Sequence, residues 1–179
     1  MERPRFQFIK RNNSDSRETK IIHQFDGRAM PLEPRILEQC AQELSKNFKS
    51  LDFDYVIGFA EGGLIPAFSV AQSLRKPLLC SYRVRMILSN EITFSEPHSA
   101  IPDHYLYGLR ENDRVVIIED EITTGRTILN AVDALNRSNV KVIGLGSFLL
   151  NNLDMNNYSI IKDQIPNFYH LFKIGENFE

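Results

Sequence analysis

Two neighbouring carboxylates followed by a threonine-rich turn form the segment of this chain with the clearest chemical potential. Glu119 and Asp120 come directly after the apolar run 115–118, and the turn 123–127 (Thr-Thr-Gly-Arg-Thr) begins two residues later. Carboxylates accept hydrogen bonds from sugar hydroxyls, whereas they repel phosphate. Backbone N–H groups and threonine hydroxyls at the start of a helix bind an anion of phosphate size. The segment therefore predicts a site that holds a sugar by two hydroxyls and by its phosphate.

Single residues of this segment leave simpler interpretations open. Gly125 either lets the backbone approach a ligand closely or adopts a positive φ. Thr127 could serve only as a helix N-cap, because acids and threonines after a strand are common turn and cap residues. A flavin-type phosphate loop is another alternative, but that loop normally follows the first strand of its sheet, and here an acid pair precedes it.

The elements around this segment alternate between strands and helices. The run 115–118 is β-branched throughout, which is typical of a strand buried on both faces. Further strands are predicted at 20–25, 55–57, 78–82 and 141–150, and helices at 36–48, 64–74 and 127–136. This alternation predicts an α/β fold with a parallel sheet flanked by helices. Ligands of such sheets bind at the carboxyl ends of the strands, where the acid pair lies.

A glycine-rich turn follows the predicted strand 55–57. It consists of small residues and one acid: Ala60, Glu61, Gly62 and Gly63. The glycines would free backbone N–H groups for a second anion, and a turn that merely packs a helix on the sheet is the alternative. The carboxylate of Glu61 cannot pair with an anion directly. Together with Asp120, it could act through Mg²⁺, which favours carboxylate and phosphate oxygens.

Two arginines alternate after the predicted strand 78–82. Arg83 and Arg85 would point to the same face of an extended chain and supply the positive charge that the glycine-rich turn lacks. Two solvated arginines are the alternative interpretation.

The stretch between Arg83 and Asn112 shows no helical period, although 105–109 is a strand candidate. An irregular segment of this length is usually a functional lid or a misread element. This stretch contains Phe94, Glu96, His98 and Ser99. An ordinary surface loop position is one interpretation of His98.

The segment 115–127 resembles the signature of type I phosphoribosyltransferases that binds 5-phosphoribosyl 1-diphosphate (PRPP). The resemblance implies that Glu119 and Asp120 bind the ribose hydroxyls and that the loop binds the 5′-phosphate through Thr123, Thr124, Gly125, Arg126 and Thr127. It also implies that the turn 60–63, with Arg85, binds the diphosphate. Two acids depart from the family pattern: Glu121 replaces an aliphatic residue, and Glu61 stands where many relatives carry Arg or Lys.

The same resemblance implies a function. The protein would transfer ribose 5-phosphate from PRPP to a nucleobase-like nitrogen acceptor and release diphosphate, with Mg²⁺ as cofactor. A lid that contains Phe94, Glu96 and Ser99 would close over the site. The protein's catalytic residues would be Glu119, Asp120, Arg83 and His98, and its metal ligands Asp120 and Glu61. The lid segment resembles orotate-type proteins of bacterial tellurite-resistance-associated gene clusters. The alternatives are a non-catalytic PRPP sensor, favoured by Glu61 and Glu121, and a nucleotide-binding protein of another α/β family.

Composition narrows the other possibilities. The net charge of −2 does not indicate a nucleic-acid-binding surface, and no apolar run approaches the roughly 20 residues of a membrane span. Cys40 and Cys80 lack zinc-site spacing and are expected to be free thiols. We expect one domain over 1–179, a cytoplasmic location and a homodimer. A small hood is expected from the N-terminal segment, from 84–112 or from 163–179.

Overall fold

The computed structural model describes residues 4–10, 19–97, 99–151, 153 and 155–174. The elements in chain order are β1 (Phe6–Lys10), β2 (Thr19–His23), α1 (Pro34–Ser45), β3 (Tyr55–Phe59), α2 (Leu64–Leu74), β4 (Leu78–Ser81), β5 (Ile92–Ser95), β6 (Asp103–Leu106), β7 (Arg114–Ile122), α3 (Arg126–Arg137), β8 (Lys141–Asn151), α4 (Met155–Gln164) and β9 (Phe168–Ile174).

Five parallel strands form the main sheet, in the order β4–β3–β7–β8–β9. The central strand β7 is longer than the apolar run predicts, because the acids remain paired with β8: Glu119 lies opposite Ser147 and Glu121 opposite Leu149. The predicted parallel α/β sheet is confirmed, and the acid pair lies near the carboxyl end of its middle strand.

The two faces of the sheet carry two hydrophobic clusters, and alternation along β7 divides its residues between them. Val115 and Ile117 face the cluster that includes Leu135 of α3. Val116 and Ile118 face the cluster that includes Leu44 of α1 and residues of α2. Helices therefore cover both faces, which explains why all four apolar residues of this run are fully buried.

Two antiparallel hairpins lie outside the main sheet. One joins β1 to β2, and the other joins β5 to β6. The second hairpin is attached to the end of β4, because Tyr82 and Tyr105 exchange backbone hydrogen bonds of 3.0 and 2.8 Å. The irregular stretch thus contains ordered strands, and the strand expected at 105–109 lies slightly earlier along the chain.

The expectation of a hood from 163–179 is wrong for the described part of that segment. Residues 168–174 form β9, which extends the main sheet by pairing in parallel with β8. Phe168 and Ile174 are buried at the two ends of this strand and belong to the two opposite core clusters. Among the helices of the described residues, none has the length and apolar character needed to cross a membrane.

Candidate functional site

A cavity of about 790 Å³ opens at the carboxyl ends of β3 and β7. The structure brings twelve of the sequence-predicted residues to its lining: Ala60, Glu61, Gly62, Gly63, Arg83, Glu96, Ser99, Glu119, Asp120, Thr123, Thr124 and Thr127. Of the other predicted residues, Arg85, Phe94, Gly125 and Arg126 do not line it, and His98 lies outside the described residues. Residues separated by up to 67 positions therefore meet at one end of the sheet.

The two glycines of the turn after β3 lie directly against the acid pair. A Cβ on Gly62 would come within 2.2 Å of Asp120 Oδ2, and a Cβ on Gly63 within 2.6 Å of Glu119 Oε1. A side chain at either position would displace a carboxylate, because the two carboxylates occupy its space. The turn predicted to bind diphosphate and the acids predicted to bind ribose are thus immediate neighbours.

Glu119 is a buried acid whose charge the protein compensates only in part. Its pKa is raised well above the ordinary value, first by burial and then by the negative charges of Asp120 and Glu96. A backbone hydrogen bond with Phe59 and the charge of Arg83 act in the opposite direction but are outweighed. Oε1 is buried and has no hydrogen-bond partner among the described residues. A hydroxyl donor from a ligand would satisfy this atom.

Asp120 faces a histidine of β2. Nε2 of His23 lies 3.4 Å from Asp120 Oδ2 and 3.9 Å from Glu121 Oε2, and the His23 side chain is almost fully buried. Burial alone would lower the pKa of His23. The hydrogen bond with Asp120 and the charges of Asp120, Glu121 and Asp26 outweigh burial, so this pKa is raised. The contact joins the N-terminal hairpin to the acid pair.

The donor set for a cation differs from the predicted one. His23, Asp26 and Asp120 offer ligand atoms within 4.8 Å of one another. Glu61, predicted as the second metal ligand, instead faces Arg28 at 3.4 Å, and both side chains are about 60% exposed. Carboxylates of this kind fit a divalent cation, and Asp120 is the predicted ligand that remains in the set.

Glu121, the third acid, is held inside the cavity lining. Its Oε1 accepts a hydrogen bond of 2.7 Å from Asn151 Nδ2 at the end of β8. The departure from an aliphatic residue at this position is therefore matched by a polar partner on the adjacent strand.

The threonine-rich turn is shaped by Gly125. This residue has φ of 74°, and a Cβ there would lie 2.8 Å from Ile161 and 2.9 Å from Leu153. Of the two interpretations of Gly125, the positive φ is therefore the observed one. Gly125 is itself the N-cap of α3, with no side-chain capping bond. Thr127 hence lies in the first helical turn and faces the cavity, and the N-cap interpretation of Thr127 is wrong.

Helix α4 supports the same turn from behind, because Asn157 Nδ2 donates a 2.7 Å hydrogen bond to the Thr124 carbonyl. Arg126 is exposed and does not line the cavity. The turn thus presents threonines and the amino end of a helix to the cavity, the arrangement that favours an anion.

The two arginines after β4 diverge. Arg83 lines the cavity and ion-pairs with Glu96, whereas Arg85 is exposed and pairs with Glu91 at 2.9 Å. The expectation that Arg85 joins the diphosphate turn is wrong, because β4 ends at Ser81 and the alternation of an extended strand does not continue.

Phe94 is also placed differently from the expectation of a lid residue. It is buried in β5, packs on Phe59 with ring centroids 4.7 Å apart and stacks on His104 at 4.9 Å. It belongs to the core that supports the cavity. Glu96 and Ser99, by contrast, line the cavity as expected.

Several lining residues were missed from the sequence: Lys20, Ile21, His23, Asp26, Arg28, His104 and Asn151. A signal existed for two of them. His23 lies two residues after buried Ile21, and His104 two residues before buried Leu106, so alternation places each histidine on the buried face of its strand.

Comparison with known proteins agrees with this geometry. A profile of the family described as phosphoribosyl transferase matches residues 6–157. The chain belongs to the phosphoribosyltransferase family. It is 28% identical over 116 residues to an orotate phosphoribosyltransferase of Thermoanaerobacter sp. (strain X514), covering 65% of this chain and 54% of the relative. It is 27% identical over 117 residues to a hypoxanthine/guanine phosphoribosyltransferase of Methanopyrus kandleri, covering 65% and 63%.

The chain thus matches between about half and two thirds of the length of these curated phosphoribosyltransferases. The fold is shared with solved members. An adenine phosphoribosyltransferase from Rhodothermus marinus superposes with a TM-score of 0.73 at 14% identity, covering 94% of both chains. One from Trypanosoma brucei, solved in complex with AMP, pyrophosphate and ribose-5-phosphate, gives 0.72 at 16% identity, covering 94% of this chain and 76% of the other.

Proposed function

We propose that this phosphoribosyltransferase-family protein transfers ribose 5-phosphate from PRPP to a nucleobase-like nitrogen acceptor and releases diphosphate. The observation that carries the proposal is the contact of the turn 60–63 with Glu119 and Asp120. Two acids suited to ribose hydroxyls lie between two turns suited to anions, which matches the order of groups along PRPP.

Each part of the ligand then has a partner. The carboxylates of Glu119 and Asp120 accept hydrogen bonds from the ribose hydroxyls, and the buried Oε1 of Glu119 gains the donor that it lacks. The amino end of α3 binds the 5′-phosphate together with Thr123, Thr124 and Thr127. The backbone of 60–63 and the guanidinium of Arg83 bind the diphosphate.

In the reaction, the bond between C1′ and the diphosphate oxygen breaks, and a bond between C1′ and the acceptor nitrogen forms. The diphosphate takes the electron pair of the broken bond, and the proton of the acceptor nitrogen passes to the diphosphate or to water. No side-chain nucleophile is needed. Positioning and electrostatic stabilisation of the leaving group supply the catalysis.

We also propose dependence on Mg²⁺. The acids that line the cavity outnumber its cations: Asp26, Glu61, Glu96, Glu119, Asp120 and Glu121 against Lys20, Arg28 and Arg83. PRPP brings further negative charge, so a divalent cation would offset repulsion and neutralise the diphosphate oxygens. Asp120 would hold it, with His23 and Asp26 as neighbouring donors. The family resemblance further leads us to propose a homodimer and a cytoplasmic location, the first testable by light scattering.

A PRPP-sensing regulator is the second candidate, and the acid Glu61 in the diphosphate turn favours it. Release of diphosphate from PRPP in the presence of candidate bases and Mg²⁺ distinguishes the two. An enzyme releases diphosphate with one of the bases, whereas a sensor binds PRPP by calorimetry and releases none.

Asp120→Asn tests the binding proposal itself. The exchange keeps the size of the side chain and removes its charge, so PRPP should bind about ten- to a hundredfold more weakly, the loss expected for a charge-assisted hydrogen bond of roughly 1.5–3 kcal/mol. Sulfate binding at the threonine-rich turn should be unchanged or stronger, because a nearby negative charge is removed.

The matched control is Asp133→Asn, which makes the same exchange at an exposed position of α3 and should alter neither ligand. Equal weakening of PRPP and sulfate by Asp120→Asn, with a lowered melting temperature, would show that Asp120 is structural and would remove the proposal's best support.

A further inference from the structure

A series of hydrogen-bonded side chains connects the wall of the cavity to the core. Ser81 Oγ lies 3.0 Å from His104 Nδ1, and His104 Nε2 lies 3.3 Å from Glu96 Oε2. The same carboxylate oxygen accepts a hydrogen bond from Arg83 Nη2. The His104 ring is stacked on Phe94 with planes 4° apart, so its orientation is fixed.

This serine, histidine and acid do not form a hydrolytic triad. Ser81 is fully buried, so its hydroxyl cannot reach a substrate. The serine also contacts Nδ1 and the acid Nε2. The arrangement therefore serves to hold its last member, Arg83, which does face the cavity.

The position of Arg83 follows from the sheet. Ser81 pairs with Phe59 in the parallel ladder, and the Ala60 N–H donates to the Ser81 carbonyl at 3.1 Å. Two residues beyond Ser81, Arg83 thus emerges beside the turn 60–63. Its charge also acts on Glu119. Arg83 therefore lines the same cavity as the turn proposed to bind diphosphate, and its charge reaches the first ribose acid.

Arg83 is itself held by two acceptors. Nη2 donates to Glu96, and Nη1 donates to the Ile101 carbonyl. A guanidinium has five N–H donors in a fixed plane, so these two bonds orient the remaining donors without using them all. Because the Arg83 side chain is already held in place, it loses little further conformational entropy when it binds an anion.

We propose that His104 is the positioning residue of this site: it fixes Glu96, and through Glu96 it aims Arg83 at the diphosphate. This inference rests on the proposed function. Although His104 borders the cavity, its side chain is only 1% exposed, so in this arrangement it acts through Glu96 and not on the ligand directly. Its loss should therefore weaken only the binding of groups that Arg83 contacts.

Two substitutions of His104 separate its two hydrogen bonds. The amide nitrogen of asparagine lies near the position of Nδ1, and that of glutamine near the position of Nε2. His104→Gln therefore keeps the bond to Glu96, whereas His104→Asn keeps only the contact with Ser81. The probes are inorganic diphosphate with Mg²⁺, which tests the Arg83 side, and ribose 5-phosphate, which tests the acid pair and the threonine-rich turn. Calorimetry measures both.

His104→Asn should weaken diphosphate binding about tenfold, the size expected for one charge-assisted hydrogen bond, and leave ribose 5-phosphate within about twofold. His104→Gln should bind both probes like the wild type. A merely structural role would weaken both probes in both variants, and that result, or unchanged diphosphate binding by His104→Asn, overturns the inference. Failure of the wild type to bind either probe would refute the proposed function instead.

Because His104 is fully buried, a thermal melt accompanies each variant. If neither variant folds, Glu96→Gln tests the same link at a side chain that is 33% exposed. This variant should likewise weaken diphosphate and spare ribose 5-phosphate. Equal affinity of Glu96→Gln and wild type for diphosphate would overturn the inference.

Discussion

Two walls of the cavity are built in different ways. The strand wall, residues 119–127, is one contiguous segment whose shape follows from its backbone: the end of β7, a glycine with positive φ and the start of α3. The hairpin wall, Arg83 with β5 and β6, is held by side-chain pairs such as Arg83–Glu96 and Arg85–Glu91. A substitution in the strand wall is therefore expected to disturb the whole segment, whereas a substitution in the hairpin wall is expected to affect only the side-chain pair to which it belongs.

The contrast between the two walls requires that the hairpin wall packs firmly on the core. Phe94 supports firm packing, since it is 4% exposed and its ring contacts Phe59 and His104. Phe94→Ala should lower the free energy of unfolding by about 3–5 kcal/mol, the cost of a large cavity in a core. Chemical denaturation measures this loss.

Phe68→Ala is the matched control, because Phe68 lies on α2 with 59% exposure and should cost less than about 1 kcal/mol. Similar small losses for both variants would mean that the hairpin packs only loosely on the core.

The strand wall depends on the glycines that face it. In Gly63→Ala, the new Cβ would meet Glu119 Oε1 at 2.6 Å and the Phe59 backbone at 3.0 and 3.1 Å. Because a paired strand cannot yield, we expect a loss of about 1–3 kcal/mol in unfolding free energy, with loss of PRPP binding.

In Gly62→Ala, the three atoms nearest to the new Cβ all belong to the Asp120 side chain, which can rotate away, so this variant should weaken PRPP binding and cost less stability than Gly63→Ala. If Gly63→Ala is as stable as Gly62→Ala in a thermal melt, the turn and the acid pair are not in the close contact described above.

Acid should affect the two walls in opposite directions. Burial would raise the pKa of Glu96, but hydrogen bonds from His104 and Arg83 outweigh it and lower this pKa below the ordinary 4.5. The contribution of Glu96 to stability is therefore present above pH 4.5 and is lost as pH falls through the native pKa. For Glu119 the pKa is raised, so its contribution to stability falls as pH rises above 4.5.

As the pH falls below 4.5, Glu96→Gln should consequently lose less stability than the wild type. The difference should be less than about 1 kcal/mol, because this side chain is partly exposed. Urea melts between pH 3 and pH 7, with Glu119→Gln as the counterpart, measure the two slopes. An acid limb of unchanged steepness in Glu96→Gln would contradict the assignment to this pair.

Local signals were enough to predict the central part of the fold. Helix α2 has the predicted bounds Leu64–Leu74, and β7 contains the β-branched run that marks a strand buried on both faces. The strand wall could be predicted for the same reason, since the acids and threonines that line the cavity there are contiguous along the chain.

The remaining elements depend on distant partners. Strand β9 is only partly buried along its length, and its place at the edge of the sheet is fixed by pairing with β8. The sequence of α4 has one fully buried residue, Ile161, so no helical period marks it. His104 and His23 acquire their roles from Glu96 and Asp120, which tertiary packing brings to them.

The order of strands in the sheet also determines how long β3 waits for its neighbour β7 during biosynthesis. Strand β3 lies between β4 and β7, and the contact of Asp54 with the Arg114 N–H at its start spans 60 positions of the chain. At roughly 5–20 residues per second, a ribosome needs roughly 3–12 s to add that length. During this interval Val56 and Ile57, which are fully buried in the folded protein, lack the neighbouring strand β7. The period in which the nascent chain is open to chaperones and proteases is therefore governed by the order of strands in the sheet.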